Sequence, residues 1–299
     1  MRKIVLLLAA MALAVLLSSM VAVLAAVPGD AQTTVTLVGA GDIASCNYTE
    51  DSATAKLLGN IPGTVFTLGD NAYTYGTTAD FNNCYDPTWG KYRERTRPSV
   101  GNHEYYTEGA KPYYNYFGWR AGKPSRGYYS YDRGAWHIVA LNSNCEKVGG
   151  CGRSSTQGHW LRRNLANHRS RCTLAYFHHP LYATGRGTPT PAVKPLWRIL
   201  YDRRTDVILS GHAHRYERYA PITPGGVVNS ENGIRQFVVG TGGNLGGGEI
   251  YYKQAPGVRV VKLGTPGVLK LDLRAGSYNW KFVPVAGKTF SDSGTDTCH

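Results

Sequence analysis

Five short clusters carry the residue types that do chemistry. They are Gly41-Asp42, Gly69-Asp70-Asn71-Ala72-Tyr73, Gly101-Asn102-His103-Glu104, His178-His179-Pro180 and Gly211-His212-Ala213-His214. Their side chains offer carboxylate, amide oxygen, imidazole and phenolate, the hard and borderline donors of divalent and trivalent cations. Each cluster alone has an ordinary explanation. Gly-Asp after a strand is commonly a turn, and a single histidine is commonly packed or solvated. Independent turns rarely supply Asp, Asp, Asn, His and His-x-His in that order, so the set reads as a metal site.

The elements that must position these clusters follow from periodicity. Short apolar runs at 35–38, 64–68, 173–177 and 206–209 read as strands, and 51–60, 87–95, 157–168 and 192–203 read as helices. Trp160, Leu161 and Leu165 share one helical face, as do Leu196, Ile199 and Leu200. Strands alternating with helices predict βαβ units. Two hairpins, 127–141 and 268–282, add antiparallel strands, so the fold class is α/β with α+β character. Each polar cluster follows a strand or a short apolar run. In open α/β sheets the ligand crevice lies beyond the carboxyl ends of the strands, so the five clusters converge. A glycine before four of them permits a sharp turn off the strand.

The set GD, GDxxY, GNH[DE], HxP and GHxH resembles the calcineurin-like metallophosphoesterases, and GDxxY narrows the resemblance to the purple acid phosphatase type. It runs from about Asp42 to Arg218. The resemblance implies a four-layer sandwich of two mixed β-sheets flanked by helices. It also implies two metal ions, one held by Asp42, Tyr73 and His214, the other by Asn102, His178 and His212, with Asp70 bridging. His178 is taken over His179 because the family motif is His-x-Pro; His179 then points elsewhere. Many relatives donate an imidazole from an Asp-x-His first motif, but here Ile43 and Ala44 follow Asp42, and Tyr73 fills that place. A phenolate suits Fe3+, with Zn2+, Mn2+ or Fe2+ beside it. The chain departs from the usual pattern at Ala44, where the purple enzymes carry glycine.

The implied reaction is hydrolysis of a small phosphate monoester by a metal-bound hydroxide. Two cations about 3.5–4 Å apart clamp the attacking and leaving oxygens and lower the pKa of water toward about 7. The catalytic set is then Asp70, Asn102 and His103, with His103 serving the leaving oxygen and Glu104 orienting it. Arg186 and His179 are candidate substrate contacts. Arg186 stands where purple acid phosphatases carry histidines after the His-x-Pro motif. A phosphodiesterase or nucleotidase on the same scaffold, a non-catalytic basic binding protein, and metals that only hold loops are the rival readings.

Composition bounds these readings. The 299 residues suffice for one large domain or two small ones, and 18% charged with 42% hydrophobic residues excludes a disordered chain or a coiled coil. Thirty-six Gly, 15 Pro and 21 Tyr argue against an all-helical protein. The net charge of +13 favours anionic partners. The basic runs 93–97 and 162–171 read as solvated helix faces and lack interleaved aromatic residues, so no specific nucleic-acid partner is expected. The aromatic run 105–119 reads as packing under a loop, and 240–248 as a flexible glycine loop without a P-loop Lys-Ser/Thr pair.

The chain begins Met1-Arg2-Lys3, continues with an apolar stretch to about Val27, and turns polar at Asp30. That order predicts a secretory signal over 1–31, cleaved after Ala25, Ala26 or Ala31, and an extracellular single domain over 32–299. Membrane attachment follows only if the segment stays uncleaved. Six cysteines without paired CxxC spacing predict disulfides. Of 15 possible pairings, the reading favours Cys46–Cys84, Cys145–Cys151 and Cys172–Cys298.

Overall fold

A computed structural model describes residues 34–168, 170–185, 189–246 and 255–299. The segment 1–31 and Arg186 therefore lie outside the described residues. Those from Thr34 onward belong to one compact unit, Thr33–His299.

Thirteen strands occur among the described residues. They are β1 (Val35–Ala40), β2 (Thr64–Leu68), β3 (Thr96–Ser99), β4 (Tyr129–Arg133), β5 (Trp136–Ala140), β6 (Cys172–Tyr176), β7 (Val207–Ser210), β8 (Tyr216–Ile222), β9 (Ile234–Val239), β10 (Val258–Lys262), β11 (Gly267–Arg274), β12 (Ser277–Pro284) and β13 (Ser293–Thr297). One sheet runs β13-β12-β11-β1-β2-β3 and the other β10-β8-β9-β7-β6-β5-β4. In the first, β1, β2 and β3 are parallel and the rest antiparallel. In the second, β5, β6, β7 and β9 are parallel, edged by antiparallel β4, β8 and β10. Both sheets are mixed, as expected.

Period-2 alternation explains the layers. Ile138, Leu174, Tyr176, Val207 and Leu209 pack with Leu37 and Phe66 between the sheets. Their neighbours Val139, Ala175, Phe177 and Ile208 face the opposite way, against Leu161 and Leu165 of the helix Thr156–Asn167 and Leu196, Trp197 and Leu200 of the helix Lys194–Asp202. Strands buried on both faces read as continuous apolar runs, which is why β2, β6 and β7 stood out in the sequence. The helix Glu50–Asn60 covers the first sheet near β11. Ser155 caps the helix Thr156–Asn167 by accepting from the Gly158 N–H.

Two expectations need correction. The helix expected at 87–95 is a 3-10 helix, Trp89–Arg95, preceded by a π-turn Phe81–Tyr85 that holds Cys84. The basic run 93–97 is not simply solvated either. The Arg95 guanidinium donates to the carbonyls of Leu58, Ile61 and Gly63, completing the end of the helix Glu50–Asn60. All three favoured disulfides are present: Cys46–Cys84, Cys145–Cys151 and Cys172–Cys298. No helix among the described residues is long and apolar enough to cross a membrane.

Candidate metal centre

The carboxyl ends of the parallel strands release the polar clusters. Gly41-Asp42 follows β1, Gly69-Asp70 follows β2, Asn102-His103 follows β3, His178 follows β6, and His212 to His214 follow β7. Four of these residues leave their strands through left-handed backbone: Asp42 at φ 58°, Asp70 at 49°, His212 at 69° and His214 at 39°. Non-glycine residues take that conformation at a cost, and it persists where surrounding contacts over-determine it. Here those contacts are hydrogen bonds donated by backbone N–H groups. The Asp42 N–H donates to the Gly69 carbonyl, the Ile43 N–H to the Asp70 carbonyl, and the His212 N–H to Asp42 Oδ2. Ala44 bridges to Ala72 in the parallel sense and is absent from the left-handed positions. The departure from glycine therefore leaves the Asp42 turn intact.

Seven donor atoms fall into two groups of four that share one oxygen. In the first, the Tyr73 hydroxyl lies 3.0 Å from Asp42 Oδ1, 3.1 Å from Asp70 Oδ2 and 3.2 Å from His214 Nε2. His214 Nε2 is 3.3 Å from Asp42 Oδ1. In the second, His178 Nε2 lies 2.9 Å from Asn102 Oδ1, 3.3 Å from Asp70 Oδ2 and 3.2 Å from His212 Nδ1. Donors surrounding one cation at about 2.0–2.2 Å stand about 3.0–3.4 Å from each other. The pairs measured above stand close to that spacing, and Asp70 belongs to both groups.

Electrostatics points the same way. Asp42 and Asp70 are buried, and Tyr73 is only 4% exposed. Burial pushes the Tyr73 phenol well above its ordinary pKa, and Asp42 and Asp70 push it further. A cation is needed to make it a phenolate. Burial also opposes ionisation of Asp70, but His178 and His103 outweigh it and hold the carboxyl below its usual range. Burial opposes a charge on His178 too, yet Asp70 and Asp42 raise it to about 9. His212 is lowered to about 4 by burial and by His178. Buried anions that rely on protonated imidazoles for compensation suit replacement of those protons by metal.

A calcineurin-like phosphoesterase family model matches residues 35–216. The chain belongs to that family. Within it the similarity is to purple acid phosphatases. Purple acid phosphatase 15 of Arabidopsis thaliana is 27% identical over 284 residues, 82% of this chain and 51% of the relative. The chain thus spans about half the length of that relative. Purple acid phosphatase PPD1 from yellow lupin (Lupinus luteus) seeds shares the fold with a TM-score of 0.73 at 17% identity, over 89% of this chain and 54% of that one. GAP50, described as the anchor in the inner membrane complex of Plasmodium, shares it with a TM-score of 0.68 at 13% identity, over 89% of each. Fold alone therefore does not select an activity, and the site must do so.

In this calcineurin-like phosphoesterase, residues around the donors hold them in place. The sequence reading had Glu104 orienting His103; the structure corrects this. His103 Nδ1 faces the Thr74 carbonyl at 2.6 Å. Glu104 is fully buried, and its carboxylate accepts from the N–H groups of Asp70, Asn71, Ala72 and Gly101. Burial and the Asp70 charge raise its pKa to about 7, against the pull of those donors. Gly101 is obligatory for another reason: a Cβ there would stand 2.1 Å from Asp70 Oδ1.

His179 has a partner of its own beside the second group, and one of its ring nitrogens also lies within 4.8 Å of ligand atoms on His178 and His212. Its backbone N–H donates to Ser143 Oγ, and its Nδ1 lies 2.8 Å from the same oxygen. Its ring remains 4.6 Å from that of His212. Burial, His178 and His212 keep it neutral, well below the ordinary imidazole pKa. Ser143 escaped the sequence reading, although it follows β5 as the other clusters follow their strands. The glycine segment after β9 also belongs to the centre. The Asn244 N–H donates to the Asp42 carbonyl, and a Cβ on Gly240 would meet Asp42 Oδ2 at 2.6 Å.

Proposed function

We propose that this protein is a secreted, dinuclear metal-dependent phosphomonoesterase of the purple acid phosphatase type. The observation that carries the reading is the pair of donor groups joined at Asp70 Oδ2. Asp42, Tyr73, His214 and Asp70 would hold one cation, and Asn102, His178, His212 and Asp70 the other. The phenol of Tyr73 favours Fe3+ in the first group, with Zn2+, Mn2+ or Fe2+ in the second. Such a pair supplies activated water and charge neutralisation at a phosphoryl group.

The chain's own residues do the rest. Asp70 fixes the spacing of the two groups. The Thr74 carbonyl accepts from His103 Nδ1–H, which leaves Nε2 facing the centre, 3.8 Å from Asp70 Oδ2. Protonated at Nε2 as well, the imidazolium can give a leaving alkoxide the proton it needs. The net charge of +13 draws phosphate esters toward the protein. Export is supported by the N-terminal order of basic, apolar and polar residues and by three disulfides.

The test is turnover of p-nitrophenyl phosphate against bis-p-nitrophenyl phosphate by metal-loaded protein. Faster monoester hydrolysis, abolished in Asp70→Ala, is expected. Preference for the diester would replace the monoesterase reading with a phosphodiesterase. No turnover by fully loaded protein would favour a binding role.

A further inference from the structure

The aromatic run after the third cluster divides in two. Tyr113, Tyr114 and Phe117 are buried, as packing under a loop requires. Tyr106 is not: it is 61% exposed, and so is Tyr75 from the segment after Tyr73. Single exposed rings are common on protein surfaces. These two touch each other and lead into the metal centre. The ring centroids run from Tyr73 to His103 at 4.4 Å, from His103 to Tyr106 at 5.0 Å, and from Tyr106 to Tyr75 at 5.9 Å.

Both rings are carried by segments tied to the centre. Tyr106 ends the turn His103–Tyr106, whose start is fixed by the His103 N–H on Asp70 Oδ1 and by buried Glu104. The Tyr75 and Thr77 N–H groups both donate to Asp80 Oδ2. Between them, a Cβ on Gly76 would stand 2.6 Å from the Glu104 Cα, so the two segments meet backbone to backbone. A wall held this way loses little freedom when a ligand lies on it.

We infer that Tyr75 and Tyr106 form a stacking wall for the leaving group, and that the preferred substrates are phosphomonoesters whose alcohol carries a flat aromatic ring. This rests on the phosphatase reading above, which puts His103 at the leaving oxygen. The carbon skeleton on that oxygen then departs past His103, and the next surfaces it meets are Tyr106 and Tyr75. A tyrosine face or edge rewards a flat π-system and gives nothing comparable to a polyol. A nucleobase and a simple arene share this chemistry.

Two matched substrate pairs decide the matter, because each keeps the leaving alkoxide nearly constant while adding a ring. They are adenosine 5′-monophosphate against ribose 5-phosphate, and benzyl phosphate against ethyl phosphate. The wild-type protein, loaded with metal, should show kcat/KM higher by about tenfold for the ring-bearing member. Both ratios should fall to near one in the Tyr75→Ala/Tyr106→Ala variant. Trp119→Ala should keep the wild-type ratios, since Trp119 is exposed but lies between the guanidinium groups of Arg97 and Arg120. A second readout is free of turnover: saturation-transfer NMR should mark the ring protons of adenosine on wild-type protein, and not on the double variant. A preference in the first pair alone assigns the wall to nucleobases, and in the second alone to small arenes. Turnover of all four esters with both ratios near one overturns the wall and leaves the phosphatase standing. Turnover of none removes the phosphatase reading itself.

Discussion

His103 and Glu104 are neighbours with separate tasks, and each task predicts a different failure. His103 presents Nε2 to the centre because its Nδ1 is engaged by the Thr74 carbonyl. His103→Ala should lower kcat by about 10²–10⁴ on alkyl phosphates. The loss should be smaller on p-nitrophenyl phosphate, whose leaving group needs no proton, and metal content should not change. Steady-state kinetics on both esters checks this. Glu104 instead serves four backbone N–H groups. Glu104→Ala leaves them buried and unpaired, so it should destabilise the fold by at least about 2–3 kcal/mol and release metal, as denaturant melts with elemental analysis would show. The donor residues themselves were legible in the sequence, because carboxylate, amide and imidazole cluster after apolar runs. Glu104 was visible as a residue but not in its role. Its partners are backbone groups of the preceding strand end, brought near only by the pairing of β2 with β3.

At the scale of elements, the strands buried on both faces declared themselves. The run 64–68 was read with the bounds it has in β2, the run 173–177 lies one residue later than β6 at both ends, and the run 206–209 lies one residue before β7 at both ends. Two others did not. β13, Ser-Gly-Thr-Asp-Thr at the edge of the first sheet, has no apolar residue, and β8, between β10 and β9, contains a proline beside an irregular register. Such strands are made by their neighbours and carry little signal of their own. Between the strand ends, backbone proximity fixes the donors. Gly101 has no space for a side chain beside Asp70. Gly101→Ala should displace the Asp70 carboxylate and lower kcat by about 10²-fold or more, while circular dichroism shows the fold retained. Activity at the wild-type level in that variant would show that the turn has room to move.

For the whole molecule, the disulfides differ in the length of chain they close. Cys172–Cys298 spans 126 residues and joins the start of β6 to the tail after β13, while Cys145–Cys151 spans six. Restricting the unfolded chain should make the first worth about 5 kcal/mol and the second about 2 kcal/mol. Cys172→Ser/Cys298→Ser should therefore lower Tm more than Cys145→Ser/Cys151→Ser, with thermal melts as the measure. Spacing alone does not choose among the 15 possible pairings; Cys145–Cys151 reads as a local loop, and folding brings the other two pairs together. The layered architecture was reachable only through the family motifs, since βαβ units alone do not say that two sheets will stack.

The central claim is a pair of cations held at Asp70, one of them on the Tyr73 phenolate. Elemental analysis of the exhaustively dialysed protein tests it most directly. The account predicts close to two metals per chain, one of them iron. Two metals without iron would keep the hydrolase and remove Tyr73 from its assigned role. Essentially none, with none taken up on reconstitution, would contradict the account.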